Sequence, residues 1–437
     1  VIWKRRIIVK RKITLFGICL VAAATLAVVY ISGWHAGSMG QRPALINEAQ
    51  AAGKEAPTRL SPTQPLPIHD VYYPGTENLA PDEMRVIACG TGHPMARPKQ
   101  AASCWLVELG NGDKFIFDLG SQSLSRIAAM KIPMDYLDKI FISHLHVDHM
   151  GDLPDFWTIS RKMNRTVPLR VWGPSGAKPE LGTKAAIEGL KRFLLWDDLS
   201  LRGRMDARAE SWEVNEFDYK GVNQAVYKEN GVTIRSLPAI HAIDGSVSFI
   251  LEWNGMSFAF SGDTSPNKWW LKYTKGVDIA VHECYDTPKT AIDKLNYQPE
   301  MALFLTTIVH TAPEQFGKIM AETRPRLAVG YHFFNDYDTL PEAIEGVRKT
   351  YDGPVVFSTD YMVFNVTKDE IRVRMAAVDE DIWPQPATRK KVVNPETQAK
   401  YGEFTASGEV IMRDVLEDVW AEINKEYGIK AQLPPPK

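Results

Sequence analysis

Ser143-His144-Leu145-His146-Val147-Asp148-His149-Met150-Gly151-Asp152 gathers three imidazoles and a carboxylate into the six positions 144–149, directly after the short, mostly apolar stretch 139–142. Imidazole and carboxylate are ligands for zinc and similar first-row cations. Alternate residues at the end of a strand can turn two rings, His144 and His146, toward one ion. Asp148 and His149 would then face a second ion close by. A single histidine of this kind is as readily an ordinary buried polar group, but four ligand-type side chains in one loop point to a metal centre.

Working outward, the short runs 85–89, 104–109 and 115–117 predict strands and 123–130 predicts a helix. The strand at 139–142 delivers the chain into the cluster. Residues 151–239 then pass without a histidine, through Trp172-Gly173-Pro174-Ser175-Gly176 and an aromatic, charged stretch at 193–227. An excursion of this length builds pocket walls. Strands are predicted at 232–237, at 246–252 paired with 256–260 through an Asn254-Gly255 turn, and at 355–357 and 362–366. Helices are predicted at 313–322 and 341–350. Val410, Ile411, Val415, Trp420 and Ile423 fall at helical spacing, so residues 408–427 predict an amphipathic helix packed on the domain, with a membrane or partner surface as the alternative.

His-x-His-x-Asp-His at 144–149 resembles the signature of the metallo-β-lactamase superfamily, and further pieces resemble its other motifs in order. These are Phe115-Ile116-Phe117-Asp118-Leu119-Gly120, Ile240-His241, Phe260-Ser261-Gly262-Asp263-Thr264 and Gly330-Tyr331-His332-Phe333. The resemblance spans residues 85–366 and implies an α/β fold, a four-layer αββα sandwich. It also implies two divalent metal ions. His144, His146 and His241 would bind one, Asp148, His149 and His332 the other, and Asp263 both, with Asp118 in support. Oxygen and nitrogen ligands without a thiolate suit zinc first, with manganese or iron also accommodated. Asp263 in place of a cysteine argues against the antibiotic-degrading lactamases, and His146 in place of a glutamate against the diiron oxygen reductases.

Within the superfamily the chain resembles the branch of the tRNA 3′-processing ribonucleases (ribonuclease Z) and the metal-dependent arylsulfatases and phosphodiesterases. The carriers are Ala88-Cys89-Gly90-Thr91-Gly92-His93-Pro94, Gly151-Asp152-Leu153-Pro154 and Val309-His310-Thr311-Ala312-Pro313-Glu314-Gln315. The last implies that His310 assists a reacting phosphate at a helix start, where unpaired N–H groups favour anions. Simple capping of that helix is the plainer reading. His282 and Glu283, after an apolar strand, either orient the metal ligands or sit in a strand-end turn. His93 is a candidate for the pocket lining.

The expected activity is hydrolysis of a small phosphodiester or sulfate ester by a bridging hydroxide, with Asp263, Asp148 and His310 as the catalytic residues. Trp157, Trp196, Phe333 and Phe334 are candidates to receive an aryl or apolar group. Carboxylic esters, lactones or thioesters are the alternative substrates for the same metals, and a non-catalytic extracytoplasmic binding module is the remaining competitor.

A chain of 437 residues that is 45% hydrophobic can bury a substantial core, which argues against disorder. Its net charge of −2 averages a start carrying six positive charges and no acidic group over residues 1–40 and a remainder at −8. An acidic remainder opposes nucleic-acid binding, and no glycine- and basic-rich arm of the kind that clamps tRNA is evident. The apolar run 13–34 spans 22 residues, about what a bilayer-crossing helix needs. It predicts a signal peptide or anchor, with Lys4-Arg5-Arg6 resembling a twin-arginine signal and the rest lying extracytoplasmic, periplasmic or anchored to the inner membrane. The partners expected are thus a small-molecule ester, a membrane if the segment is uncleaved, and a second copy should the chain form a homo-oligomer. Four cysteines, Cys19, Cys89, Cys104 and Cys284, read as small hydrophobes rather than a disulfide framework. The implied organisation is 1–40 signal or anchor, 41–83 proline-rich linker or arm, 84–393 catalytic domain and 394–437 C-terminal extension.

Overall fold

The computed structural model describes residues 71–433. Its strands, in chain order, are β1 (Val71–Tyr72), β2 (Met84–Gly90), β3 (Cys104–Leu109), β4 (Lys114–Phe117), β5 (Lys139–Phe141), β6 (Leu169–Pro174), β7 (Trp212–Phe217) and β8 (Gln224–Glu229). They continue as β9 (Val232–Pro238), β10 (Val247–Trp253), β11 (Met256–Phe260), β12 (Ile279–Glu283), β13 (Leu327–Tyr331), β14 (Val355–Phe357), β15 (Met362–Val366) and β16 (Ile371–Ala376). One sheet has the order β1-β16-β15-β2-β3-β4-β5-β6-β7 and the other β14-β13-β12-β11-β10-β9-β8. Strands β4 to β7 are mutually parallel, as are β11 to β14.

The two sheets bury one core between them, in which Trp105, Phe117 and Phe141 of the first meet Phe249, Phe258 and Phe260 of the second. The Phe117 ring lies 5.1 Å from Phe258 and 5.7 Å from Phe249. Helices Ser123–Ala128, Leu153–Lys162 and Thr183–Phe193 close the outer face of the first sheet over Ile127, Phe156 and Ile187. Helices Lys268–Tyr273, Pro313–Thr323 and Leu340–Arg348 close the second over Trp270, Phe316 and Val347. This is the αββα sandwich that the motifs imply. Strands covered on both faces carry continuous rather than alternating apolar residues, as β12 and β13, buried throughout, do. The predicted Asn254-Gly255 turn joins β10 to β11 with both residues at positive φ (51° and 75°), the geometry of a two-residue hairpin.

Three regions differ from the sequence expectation. Val71–Tyr72, inside the expected linker, pairs with Met375–Ala376 and buries Tyr72, so part of that segment belongs to the sheet edge. The excursion after the histidine cluster contains three strands, β6 to β8, whose half-buried, charge-rich β7 and β8 lack the apolar signal that periodicity detects. The expected C-terminal helix starts at Glu417 and ends at Tyr427, and none of its side chains is buried; Val419 is 52% exposed. Periodicity reports an amphipathic face but not what covers it. Cys89, Cys104 and Cys284 are free and buried, as expected. Among the described residues no helix is long and apolar enough to cross a membrane, and the predicted span at 13–34 lies outside them.

Because Phe117 touches the rings of both sheets, Phe117→Ala should cost about 3–5 kcal/mol in chemical denaturation. Trp196→Ala, at a position 81% exposed, should change stability by less than about 0.5 kcal/mol. Equal effects would show that the inter-sheet core does not carry the fold.

Candidate metal centre

The site lies at the C-terminal ends of the strands, where the parallel sheet leaves loops free to converge. Beyond β4, Asp118 adopts φ 57°, a left-handed backbone that costs a non-glycine residue roughly 1–2 kcal/mol. That conformation turns its carboxylate toward the next loop: Oδ1 accepts from Ser143 N and Oδ2 from Ser143 Oγ, each at 2.7 Å. Oδ2 also meets His149 Nδ1 at 2.6 Å. The helical turn Val147–Met150 buries Asp148 and His149 together. Gly120 permits this approach, since a Cβ there would stand 2.0 Å from the Asp148 carbonyl oxygen.

His241 arrives after β9, Asp263 after β11 and His332 after β13. All seven residues expected as metal ligands come together, in two groups whose ligand atoms lie within 4.8 Å of one another. In the first, His146 Nδ1 is 3.0 Å from His144 Nε2 and 3.3 Å from His241 Nε2. In the second, His332 Nε2 is 3.2 Å and His149 Nε2 3.4 Å from Asp148 Oδ2. Asp263 belongs to both. Its Oδ2 faces His241 at 3.7 Å and His144 at 3.9 Å, while Oδ1 faces His149 at 3.2 Å and His332 at 3.4 Å.

Imidazole lone pairs at such distances repel unless a proton or a cation lies between them, and within the second group His149 Nε2 and Asp263 Oδ1 are buried without a hydrogen-bond partner. Unpaired buried donors and acceptors are costly, so the donor set fits divalent cations, nitrogen and oxygen ligands without thiolate. Burial, reinforced by the neighbouring His149, holds His144 well below the usual histidine range, and burial lowers His241 to about 4. Both rings are therefore neutral at pH 7, the form that ligates. Burial opposes a charged His149 as well, but Asp263, Asp148 and Asp118 outweigh it and hold that ring well above its ordinary value.

Glu283, for which the sequence left two readings, enters the site, and His282 does not. Glu283 Oε1 accepts from Thr264 N, and Oε2 meets His310 Nδ1 at 2.8 Å. His282 turns the other way, its ring 4.8 Å from Trp270 in the outer core. The strand alternation β12 imposes separates the two neighbours, a distinction adjacent positions in the sequence signal once the strand is known. His310 does not cap the helix Pro313–Thr323; it follows a wide helical turn, Leu305–Val309, and stacks on Tyr285 at 4.0 Å. Val309 O faces His241 Nδ1 at 3.3 Å, which suits a ring whose Nε2 ligates. His93 packs behind the centre, bonded to Asp286 at 2.9 Å, rather than lining the cavity.

The aromatic candidates are placed elsewhere. Trp157 is buried and stacked on Trp212 at 4.3 Å, Phe333 is buried against Phe357, and Phe334 packs on His93. Trp196 projects into solvent. None of the four lines the cavity beside the histidines. Core packing claims large rings as readily as a substrate does, and nothing in their spacing separates the two uses.

The model of the family described as anti-Pycsar protein Apyc1 matches residues 84–310. A ribonuclease Z of Mycolicibacterium paratuberculosis is 30% identical over 209 residues, covering 46% of this chain and 69% of the relative. A ribonuclease Z of Mycobacterium sp. strain KMS is 28% identical over 273 residues, covering 60% of this chain and 86% of the relative. Among solved structures, the metallo-β-lactamase fold protein YhfI from Bacillus subtilis aligns with a TM-score of 0.48 and 17% identity, over 65% of this chain and all (100%) of that one.

Asp118→Asn preserves shape but weakens the hold on His149, so zinc affinity measured by competition with a chelator should fall about 10- to 100-fold. Unchanged affinity would mean that Asp118 does not orient a ligand.

Proposed function

The chain belongs to the family described as anti-Pycsar protein Apyc1 and is a metal-dependent hydrolase related to ribonuclease Z, and we propose that it cleaves small phosphodiesters at a pair of divalent cations. The observation that carries this reading is Asp263, whose two oxygens face two separate sets of imidazoles. In this reading His144, His146 and His241 hold one cation, Asp148, His149 and His332 the other, and Asp263 both. When bound, the pair supplies a water whose pKa is drawn toward roughly 7 and positive charge for the developing oxyanion.

The remaining chemistry belongs to the chain. Burial, reinforced by the charge of Asp263, pushes Glu283 well above the usual carboxylate range, which favours its protonated form. Its Oε1 is occupied by Thr264 N–H, which leaves the proton on Oε2, where it donates to His310 Nδ1. His310, lowered to about 4 by burial, is neutral and carries its own proton on Nε2. The Nε2 proton can pass to the leaving oxygen as the ester bond breaks while Glu283 Oε2 hands its proton to Nδ1, so the ring stays neutral and the carboxylate takes up the charge; His310 is then the general acid and Glu283 its proton source.

The relatives are named ribonucleases, which runs against the expectation that nucleic acid is disfavoured. A nucleic-acid phosphodiester is therefore the second reading for the same chemistry.

Elemental analysis of the purified protein should find two equivalents of zinc, manganese or iron, and bis(p-nitrophenyl) phosphate should be hydrolysed. Asp263→Ala should lose metal and about a thousandfold or more in kcat. Full metal content with full turnover in that variant would sink the assignment.

His310→Ala should keep its metal and lose roughly 10²–10⁴ in kcat on an alkyl diester, with a far smaller loss on a p-nitrophenyl diester, whose leaving group needs no proton. Equal losses on both would remove His310 from the acid role.

A further inference from the structure

The acid step asks two things of the His310 ring at once. Nδ1 must face the Glu283 carboxyl that supplies a proton, and Nε2 must face the leaving oxygen that takes one. The contact of His310 Nδ1 with Glu283 Oε2 at 2.8 Å fixes one corner of the ring. A single hydrogen bond leaves the plane free to swing, because the Cβ–Cγ torsion of histidine has broad wells. A second contact has to hold it.

Tyr285 is placed to do so. Its ring lies 4.0 Å from that of His310 with 11° between the planes, and the residue is 3% exposed. The backbones are tied as well, since Tyr285 N donates to Thr311 O at 2.9 Å and Thr311 Oγ1 to Thr264 O at 2.6 Å. The stack continues behind Tyr285. His93 stands 5.3 Å from it, Phe334 4.1 Å from His93, and the Arg97 guanidinium 4.5 Å from the centre of the Phe334 ring. Asp286 braces the column from the side, with Oδ2 meeting His93 Nε2 at 2.9 Å and Oδ1 accepting from Phe334 N at 3.1 Å. On its other flank His310 meets the tilted ring of His241 at 4.9 Å. The acid is therefore gripped between a buried column of rings and a candidate metal ligand. Tyr285 Oη makes no hydrogen bond among the described residues, so the flat ring is the part of this side chain that is engaged.

We propose that Tyr285 is a positioning residue for the acid step, its ring holding the plane of His310 so that a proton entering at Nδ1 and one leaving at Nε2 both lie on line. Tyr285 itself transfers nothing. The ester P–O bond breaks, the Nε2 proton goes to the departing oxygen, and the Glu283 Oε2 proton goes to Nδ1. His93, with Asp286 and Phe334, keeps Tyr285 in place. This rests on the phosphodiesterase reading of the centre and on His310 as its acid, and adds the residue that aligns that acid.

Methyl phenyl phosphate and methyl p-nitrophenyl phosphate share the arm that stays and differ in how much the leaving oxygen needs a proton. Tyr285→Met fills the space without a flat ring, and Tyr285→Phe keeps the ring. A stacked pair is worth about tenfold in a rate at the upper end of its usual range. Tyr285→Met should thus lower kcat about 5- to 10-fold on the phenyl ester and less than about twofold on the p-nitrophenyl ester, with KM for both within about twofold of wild type. Tyr285→Phe should keep the ratio of the two kcat values within about twofold of wild type. Added to His310→Ala, Tyr285→Met should cost nothing further on either ester, because no ring is left to align. Each ratio is taken within one preparation and is independent of the folded fraction; Tyr285→Leu takes the place of the methionine variant if that one does not fold. Imidazole nitrogen NMR of the zinc-loaded protein should show His310 as one sharp Nε2–H form in the wild type and in Tyr285→Phe, and as an exchange-broadened one in Tyr285→Met. Equal losses on both esters, a loss that persists without His310, or a phenylalanine variant as impaired as the methionine one overturns the positioning role, while turnover of the esters keeps the phosphodiesterase reading. If the wild type turns over neither ester, that reading falls and the nitrogen spectra decide: a sharp His310 in Tyr285→Met removes the positioning role, and a broadened one retains it.

Discussion

Phe117 and Phe141 on one sheet meet Phe249, Phe258 and Phe260 on the other, and everything at the metal centre depends on that contact. Strands β4 and β5 end beside β11, β12 and β13 only because their inward faces interlock. Asp118, His144, Asp263, Glu283 and His332 are the residues at or just after those strand ends. Interiors packed to crystal density deform little, so the spacing of the ligand atoms is set by rings that touch no ligand.

Bringing imidazoles and carboxylates together this closely is unfavourable by itself, and the fold supplies the compensation in layers. Asp118 accepts a positively biased stretch of chain, the Ser143 backbone and the His149 ring, at the expense of a left-handed backbone. Val309 O faces His241 from the wide turn that precedes His310. Thr264 N and Glu283 then fix the ring of His310 from behind. Each partner selects one tautomer, and a chosen tautomer is what distinguishes a ligand or an acid from a merely buried histidine.

The outer wall of the cavity is built differently from the histidine cluster. The metal-side residues come from strand ends, whereas Glu180, Leu181, Ile243 and Asp244 come from a one-turn segment and a loop, exposed and sparsely bonded. Loops hung on a rigid sandwich can change chemical character without disturbing the centre, which is the arrangement expected where one reaction serves different substrates.

The dense loop 144–149, and the resemblance of the later motifs to a known family in their order, implied the fold and named in advance the seven candidate ligand residues that the structure gathers. The two-residue turn at Asn254-Gly255 and the burial of the cysteines were legible because backbone conformation and side-chain chemistry there are local. Tertiary structure alone decided which of His282 and Glu283 faces the centre, because neighbours on a strand point to opposite sides. It alone sent Trp157 and Phe333 into cores, left the helix Glu417–Tyr427 uncovered, and put an acidic, aliphatic wall where aromatic rings were expected. Those outcomes depend on which surfaces meet, and a chain read one residue at a time carries the pattern of its faces without the identity of what lies against them.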